Sequence, residues 1–288
     1  MLEKRFLLIL LLINFFVFSQ IKGKVTDEKN QPISFVNIAV ENENIGTTSE
    51  DNGTFSISIT DKNKNLIFSA LGYEKKIVKA SESSEVKLKS KEYQLDEVLI
   101  AKRFETKERL IGETDNQICQ AFDNGPRIDI KYFPNLSVYK KTKFIKYVTI
   151  YTDSRIDKAT IKIHFYKVDI NGFPGDEMLK KDFIATVKKG TINNVFDLTD
   201  LNLKMPLKGL FVGFEKLIIE NNKSEKTITD LATKTTKQQI TYYPFAMYNR
   251  VKSEVQFTFS GGKWNKSVSE TSNNMMIFEP VIKLILTN

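Results

Sequence analysis

IGTTSEDNGTF, residues 45–55, decides how the first third of the chain is built. It reads either as a ligand loop or as a turn. A calcium loop needs more oxygen ligands than Glu50 and Asp51 supply. A phosphate loop needs a strand-to-helix glycine motif with a lysine, and neither is present. Asp51-Asn52-Gly53, by contrast, is a tight-turn signal of the hairpin kind, because Asn and Gly tolerate positive φ. Phe55, Ile57 and Ile59 then alternate with Thr54, Ser56 and Ser58, the period of a half-buried strand. Gly46 permits a bend or a close backbone approach.

Working outward, the same grammar repeats. IKGKVTD, SFVNIAV, NLIFSALGY, KKIVKA and SEVKLK are short strand-like runs separated by polar turns. In SFVNIAV, Phe35, Asn37 and Ala39 face one way and Val36, Ile38 and Val40 the other. These runs predict a small antiparallel sandwich of about eighty residues, long enough for one core.

Three blocks carry a family resemblance. Gly23, Val25, Asp27, Pro32, Val36 and Ile38 form the first; Gly46, Thr47, Asn52, Gly53 and Phe55 the second; Leu66, Phe68, Ser69, Gly72 and Tyr73 the third. Together they resemble the carboxypeptidase regulatory-like domain, a transthyretin-like, Ig-like β-sandwich. The resemblance covers 21–88 and extends through YQLDEVLI (93–100). That segment is similar to the strand that follows this domain in starch-utilisation-type TonB-dependent transporters. The chain after it is too short for their plug and barrel. The resemblance implies a non-catalytic module and no peptidase activity. Asn30 replaces the family's glycine and Glu50-Asp51-Asn52 its Asp-x-Asp; the first keeps the turn, since Asn tolerates positive φ.

The chain opens differently. Lys4 and Arg5 precede an apolar run over 6–18, and Val17 and Ser19 stand at the −3 and −1 places before Gln20. This is a secretory signal-peptide pattern, with an uncleaved anchor as its rival. After it, no stretch is long and apolar enough to span a bilayer as a helix. The expected location is the periplasm or outer-membrane surface of a Gram-negative bacterium. Cys119 is the single cysteine, so no intramolecular disulfide forms. The net charge of +8 is spread among acidic residues rather than blocked. It reads as a solvated surface and argues against nucleic acid as a partner.

Residues 101–120 are charged and weakly periodic, and read as a linker with room for a short helix. From 121 strands resume: KFIKYVTIYT, TIKIHFYKVD, DFIATVKKG, GLFVGFEKLIIE, QITYYPFAM, EVQFTFSGGKWNK and MMIFEPVIKLILTN among them. Nine or ten runs predict a larger sandwich, and their sequence resembles jelly-roll modules of exported bacterial surface proteins. The expected organisation is signal peptide 1–19, regulatory-like domain 20–100, linker 101–120 and jelly-roll-like domain 121–288, all-β throughout.

Chemistry is sparse. His164 is the only histidine, so zincin motifs are excluded, and no G-x-S-x-G elbow accompanies it. On the alternating face of its strand it reads as solvated. Asp197, Asp200, Glu215 and Glu279 are the carboxylates whose convergence would allow glycoside chemistry. DINGFPGD, with Asp169, Asn171 and Asp176, has a faint calcium-loop look but reads better as a hairpin loop. Trp264, Tyr242, Tyr243 and Tyr248 are the candidate ligand-binding rings, able to stack on sugars if exposed. No catalytic, cofactor or metal residue is assigned. The expected role is an exported, non-catalytic binding or adapter protein of the cell envelope, its partner a protein or polysaccharide. The alternatives are a carboxylate-based carbohydrate-active enzyme or a structural partner of an outer-membrane machine.

Overall fold

The computed structural model describes residues 19–91, 103–113, 119–123, 125–229, 234–253, 255–268 and 275–288. The signal-like run before Ser19 and the segment 93–100 lie outside them. Apart from short 3₁₀ turns, the described secondary structure is β-strand.

The first unit holds β1 (Ser19–Thr26), β2 (Asn37–Val40), β3 (Gly46–Thr48), β4 (Thr54–Ile59), β5 (Asn65–Ser69), β6 (Lys76–Lys79) and β7 (Glu85–Lys87). They form two sheets, ordered β4-β1-β7 and β3-β2-β5-β6. β1 runs antiparallel to β4 and parallel to β7. Val25, Val36, Ile38, Phe55, Leu66, Phe68 and Leu88 fill the space between, with Phe55 edge-on to Phe68 at 5.6 Å. Each such side chain contributes roughly 1.5–3 kcal/mol by leaving water.

The Asn-Gly turn forms as its residues dictate. Gly53 adopts φ 78°, and a Cβ there would stand 2.5 Å from the Val25 carbonyl oxygen. The Asn52 side-chain oxygen accepts from the Thr54 N–H at 3.0 Å. It is not a hairpin, however. β3 and β4 belong to different sheets, so the turn carries the chain across the sandwich. Buried Ser49 holds the corner: its hydroxyl donates to the Ile33 carbonyl and accepts from the Val36 N–H, both at 2.9 Å. Asn30 takes φ 64°, as its turn requires.

The second unit contains β8 (Glu108–Ile111), β9 (Cys119–Ala121), β10 (Ile128–Phe133), β11 (Phe144–Ser154), β12 (Ala159–Val168), β13 (Pro174–Glu177), β14 (Phe183–Val187) and β15 (Gly190–Asp197). It continues through β16 (Leu210–Lys216), β17 (Lys223–Thr229), β18 (Thr236–Tyr242), β19 (Phe245–Ser253), β20 (Val255–Ser260), β21 (Lys263–Val268), β22 (Met275–Pro280) and β23 (Ile282–Thr287). One sheet runs β13-β12-β16-β10-β20-β21 with β14 beside β12. The other runs β22-β19-β11-β23-β8, with β15 beside β11 and β9 beside β19. β17 and β18 pair only with each other among the described strands. Ile145, Val148, Ile150, Ile161, Ile163, Phe165, Leu284 and Leu286 lie in the core between the two large sheets.

Two expectations need correction. The predicted linker contains β8 and the start of β9, which pair with β23 and β19, so two of its stretches join the sheets of the sandwich. Its charges misled because β8 is a sheet edge, where Glu108 and Arg109 reach solvent. The strands also outnumber the nine or ten runs, because several runs break at Pro or Gly. QITYYPFAM divides at Pro244 into β18 and β19, and EVQFTFSGGKWNK at Gly261-Gly262 into β20 and β21. Pro lacks the ladder N–H, and Gly supplies the turn's positive φ.

The two units are joined by direct contact. The Ile218 N–H donates to the Thr48 hydroxyl at 3.0 Å, and the Glu220 N–H to the Glu50 carboxylate at 3.0 Å. Lys75 donates to the Gly262 carbonyl at 2.9 Å, and Lys263 to the Asn42 side chain at 2.7 Å. Gly46 is the close approach: a Cβ there would stand 2.7 Å from the Ile38 carbonyl and 3.3 Å from Pro126. Residues 45–55 thus end on the second domain.

Candidate functional site

β12 explains where the charged groups meet. Its seven residues from Ala159 to Phe165 are all buried, which an amphipathic strand with one wet face would not be. Ala159, Ile161, Ile163 and Phe165 face the sandwich core. Thr160, Lys162 and His164 face the other way and are covered as well, because the first domain lies over that side of the sheet. The reading of His164 as solvated is therefore corrected: it is 8% exposed. Alternation identifies the second face of a strand but not what covers it.

His164 stands between two carboxylates. Its Nε2 is 2.8 Å from Glu215 on β16 and its Nδ1 is 3.0 Å from Glu177 on β13. Asn37 of the first domain donates its side-chain N–H to the other Glu215 oxygen at 2.8 Å. One residue pair along, Lys162 binds Asp182 at 3.1 Å and donates to the Phe35 carbonyl at 2.8 Å. Phe35 holds φ 55°, an uncommon conformation for a bulky residue, and its carbonyl receives a buried ammonium.

The electrostatics follow. Burial pulls the His164 pKa down, but its hydrogen bonds to Glu177 and Glu215 and their charges outweigh that and raise it to about 9. Burial pushes Glu215 up, yet the Lys162 charge and the His164 hydrogen bond bring it to about 2. Burial likewise lowers Lys162, and Glu215, Asp182 and Glu177 leave it above its usual value. At neutral pH the imidazole is a cation donating from both nitrogens, and Glu215 is ionised. Both ring N–H groups are committed to carboxylates, and Glu215, held well below the usual carboxylate range, is a weak base. The ring also occupies the space between Glu177 and Glu215, where a glycosidase would need its sugar or water.

At the joint lies an open pocket of about 210 Å³, lined by Leu71, Lys162, His164, Tyr166, Asp182 and Trp264 among others. Trp264 is the one candidate ring that reaches this region, edge-on to Tyr166 and to Phe259, both at 5.3 Å. The tyrosines do not join it. Tyr242 is half-buried beside Glu50 and Lys223 at the foot of β18. Tyr243 is 5% exposed and leans on Phe245 at 4.9 Å. Tyr248 is 2% exposed, and its hydroxyl donates to Asp129 at 2.7 Å. Neither buried tyrosine presents a face to a ligand, so the four rings form no common platform.

The other suspected groups are dispersed. Asp197 accepts from the Thr199 N–H at 2.8 Å and caps a short turn. Asp200 lies in that turn, and Glu279 pairs with Lys131 at 2.8 Å. In DINGFPGD, Asp169 accepts from the N–H groups of Asn171 and Phe173, both at 2.8 Å, so its carboxylate closes the loop. Among the described residues, no group of His, Cys, Asp or Glu is placed to hold a metal ion.

A larger cleft, about 570 Å³, opens farther along the outer face of the same sheet. Tyr132, Phe211 and Phe257 lie along its floor, with Phe278, Asn171 and Glu279 around them. Of this cleft's residues only Asn171, in the DINGFPGD loop, and Glu279 were singled out from sequence, and neither as a ligand-binding group. The available signal was the alternation in β10 and β20, which puts Tyr132 and Phe257 on one side of one sheet once their pairing is known.

Residues 21–100 match the family model of the CarboxypepD_reg-like domain. No curated protein matches the chain. The first domain is thus a carboxypeptidase regulatory-like domain, followed by an all-β sandwich.

Proposed function

We propose that this is an exported, non-catalytic binding or adapter protein of the cell envelope, its partner a protein or polysaccharide. The observation that carries the non-catalytic part is the Glu177–His164–Glu215 arrangement, whose ring nitrogens are both occupied by carboxylates. A triad base needs a free imidazole lone pair, and a glycosidase acid needs a carboxyl whose pKa is raised. The regulatory-like domain supports the adapter part, since hydrogen bonds at Phe35, Asn37, Thr48 and Lys75, on its strands and loops, fasten it to the sandwich. Its surface and that of the sandwich then act as one body. Export rests on the N-terminal charge and apolar pattern. No helix among the described residues is long and apolar enough to cross a membrane.

The test is twofold. Cell fractionation should place the protein in the envelope or outside the cell; full-length protein in the cytoplasm overturns export. Incubation of purified protein with envelope polysaccharides should release no reducing ends. Release that disappears in Glu215→Gln would make it a carbohydrate-active enzyme instead.

A further inference from the structure

The outer face of the β13-β12-β16-β10-β20-β21 sheet is an aromatic band of which the first domain covers one end. Under the cover lie Lys162, His164 and Glu215. Trp264, Phe259 and Ile128 stand at its margin, and Ile130 and Phe211 continue the band as an apolar cluster beyond it. At the uncovered end Tyr132 packs on Phe211 at 5.1 Å, and Phe211 on Phe257 at 5.5 Å. Tyr132 remains 44% exposed and Phe278 38%. Such exposure is unusual for rings that sit in a formed cleft, because burying them against the protein would remove them from water.

We infer that this cleft is a binding site for a short, neutral oligosaccharide. The inference rests on the binding reading above and names the ligand class. Three features select it. The exposed rings present flat apolar faces suited to the C–H faces of sugar rings. Polar groups stand among them: the Asn171 and Gln256 side-chain amides supply donors and acceptors for hydroxyls, to which an acyl chain has nothing to offer. The lining carries one residue of each sign, Lys266 and Glu279, and Glu279 is already paired with Lys131 at 2.8 Å, so a single lysine is all that would attract a polyanionic chain. A polyanionic chain would have to meet the Glu279 carboxylate. The volume of about 570 Å³ falls within the ~300–1,000 Å³ of ordinary ligand clefts, more than a single sugar ring fills.

The cleft is also held in shape. Gln256 on β20 donates to the Phe278 carbonyl on β22 at 3.1 Å, tying the floor to the wall from the other sheet. Lys266 lies over the rings of Phe173 and Phe257, at 5.4 and 5.8 Å from their centroids. The rings therefore need little ordering when a ligand arrives.

The experiment is a microarray of short neutral hexose and pentose oligosaccharides, with uronate-containing oligosaccharides as charged comparators, followed by titration calorimetry on the best neutral ligand. The full chain is compared with Tyr132→Ala, Tyr132→Phe, Phe278→Ala and, on the other sheet, Val195→Ala. Each variant is accepted only if its thermal unfolding matches the wild type. The expected result is neutral binding that falls tenfold or more in Tyr132→Ala and Phe278→Ala and persists in Tyr132→Phe and Val195→Ala. Neutral binding unchanged in both alanine variants overturns the cleft while leaving the binding reading intact. Selective binding of uronates overturns the neutral class. A blank array overturns the inference altogether. The broader binding reading then falls only if in vivo crosslinking in the envelope also yields no partner.

Discussion

The Glu177–His164–Glu215 arrangement makes a prediction that one spectrum reads. His164 is the only histidine in the chain, so its imidazole C2–H proton gives an unambiguous titration. Folding raises its pKa from 6.5 to about 9. At 1.36 kcal/mol per unit this corresponds to roughly 3 kcal/mol favouring the folded, charged state. Glu215 is brought from 4.5 to about 2 first by the Lys162 charge and then by the same His164 contact, so the two shifts overlap and are not added. Because folding raises the imidazole pKa, its contribution is complete below about 6.5 and is lost as pH climbs through about 9. Glu215 runs the other way: its contribution is complete above 4.5 and is lost as pH falls through about 2. The joint is strongest between these limits, from about pH 4.5 to 6.5. His164→Gln removes the cation and leaves buried carboxylates short of a counter-charge, at a cost of about 3–5 kcal/mol. Urea unfolding at pH 6 should show that loss, and the gap between wild type and variant should narrow at pH 10. A titration midpoint near 6.5, or a loss under about 1 kcal/mol at pH 6, would refute the imidazolium bridge.

Asn37→Ala removes the first domain's hydrogen bond to the Glu215 carboxylate and should cost about 1.5–3 kcal/mol in urea unfolding; an unchanged midpoint would mean that this bond does not hold the domains together. Tyr248→Phe leaves buried Asp129 one donor short and should lower stability by about 1–2 kcal/mol, with oligosaccharide binding unaltered; weakened binding would return Tyr248 to the ligand site. Gly53→Ala and Gly172→Ala both force alanine into positive φ, at about 1–2 kcal/mol each. Only at Gly53 does the new Cβ meet a carbonyl, 2.5 Å away, so its melting temperature should fall further, and equal losses would show that this carbonyl yields.

Much of the first domain was legible in the sequence because its determinants are local. Asn30, Asn52 and Gly53 set turns through their own φ preferences, and Phe55, Ile57 and Ile59 alternate at the period of the strand they form. That the turn at Gly53 joins two sheets was not legible. Sheet membership depends on partners far along the chain, and residues 45–55 do not name them. Two-sided burial was equally hidden. His164 sits on the polar phase of β12 by every local criterion, yet it is nearly inaccessible, because a domain more than a hundred residues earlier meets that face of the sheet, with Asn37 on its partner Glu215 and Phe35 on its neighbour Lys162.

The candidate rings divide along the same line. Tyr243 and Tyr248 would bind a ligand only if exposed, but Tyr243 is buried in the turn before β19, and β19 carries Tyr248 into the interior, where its hydroxyl donates to Asp129. Tyr132 and Phe257 were passed over, although pairing through β10, β16 and β20 gathers them on one exposed face. By itself the sequence determined the strand period, the turn positions and the identity of the first domain, all of which rest on backbone preference and nearest neighbours. Tertiary structure decided which faces are dry, which charges must pair and where an aromatic surface stays open. Those depend on which distant strand, or which domain, comes to lie against each face.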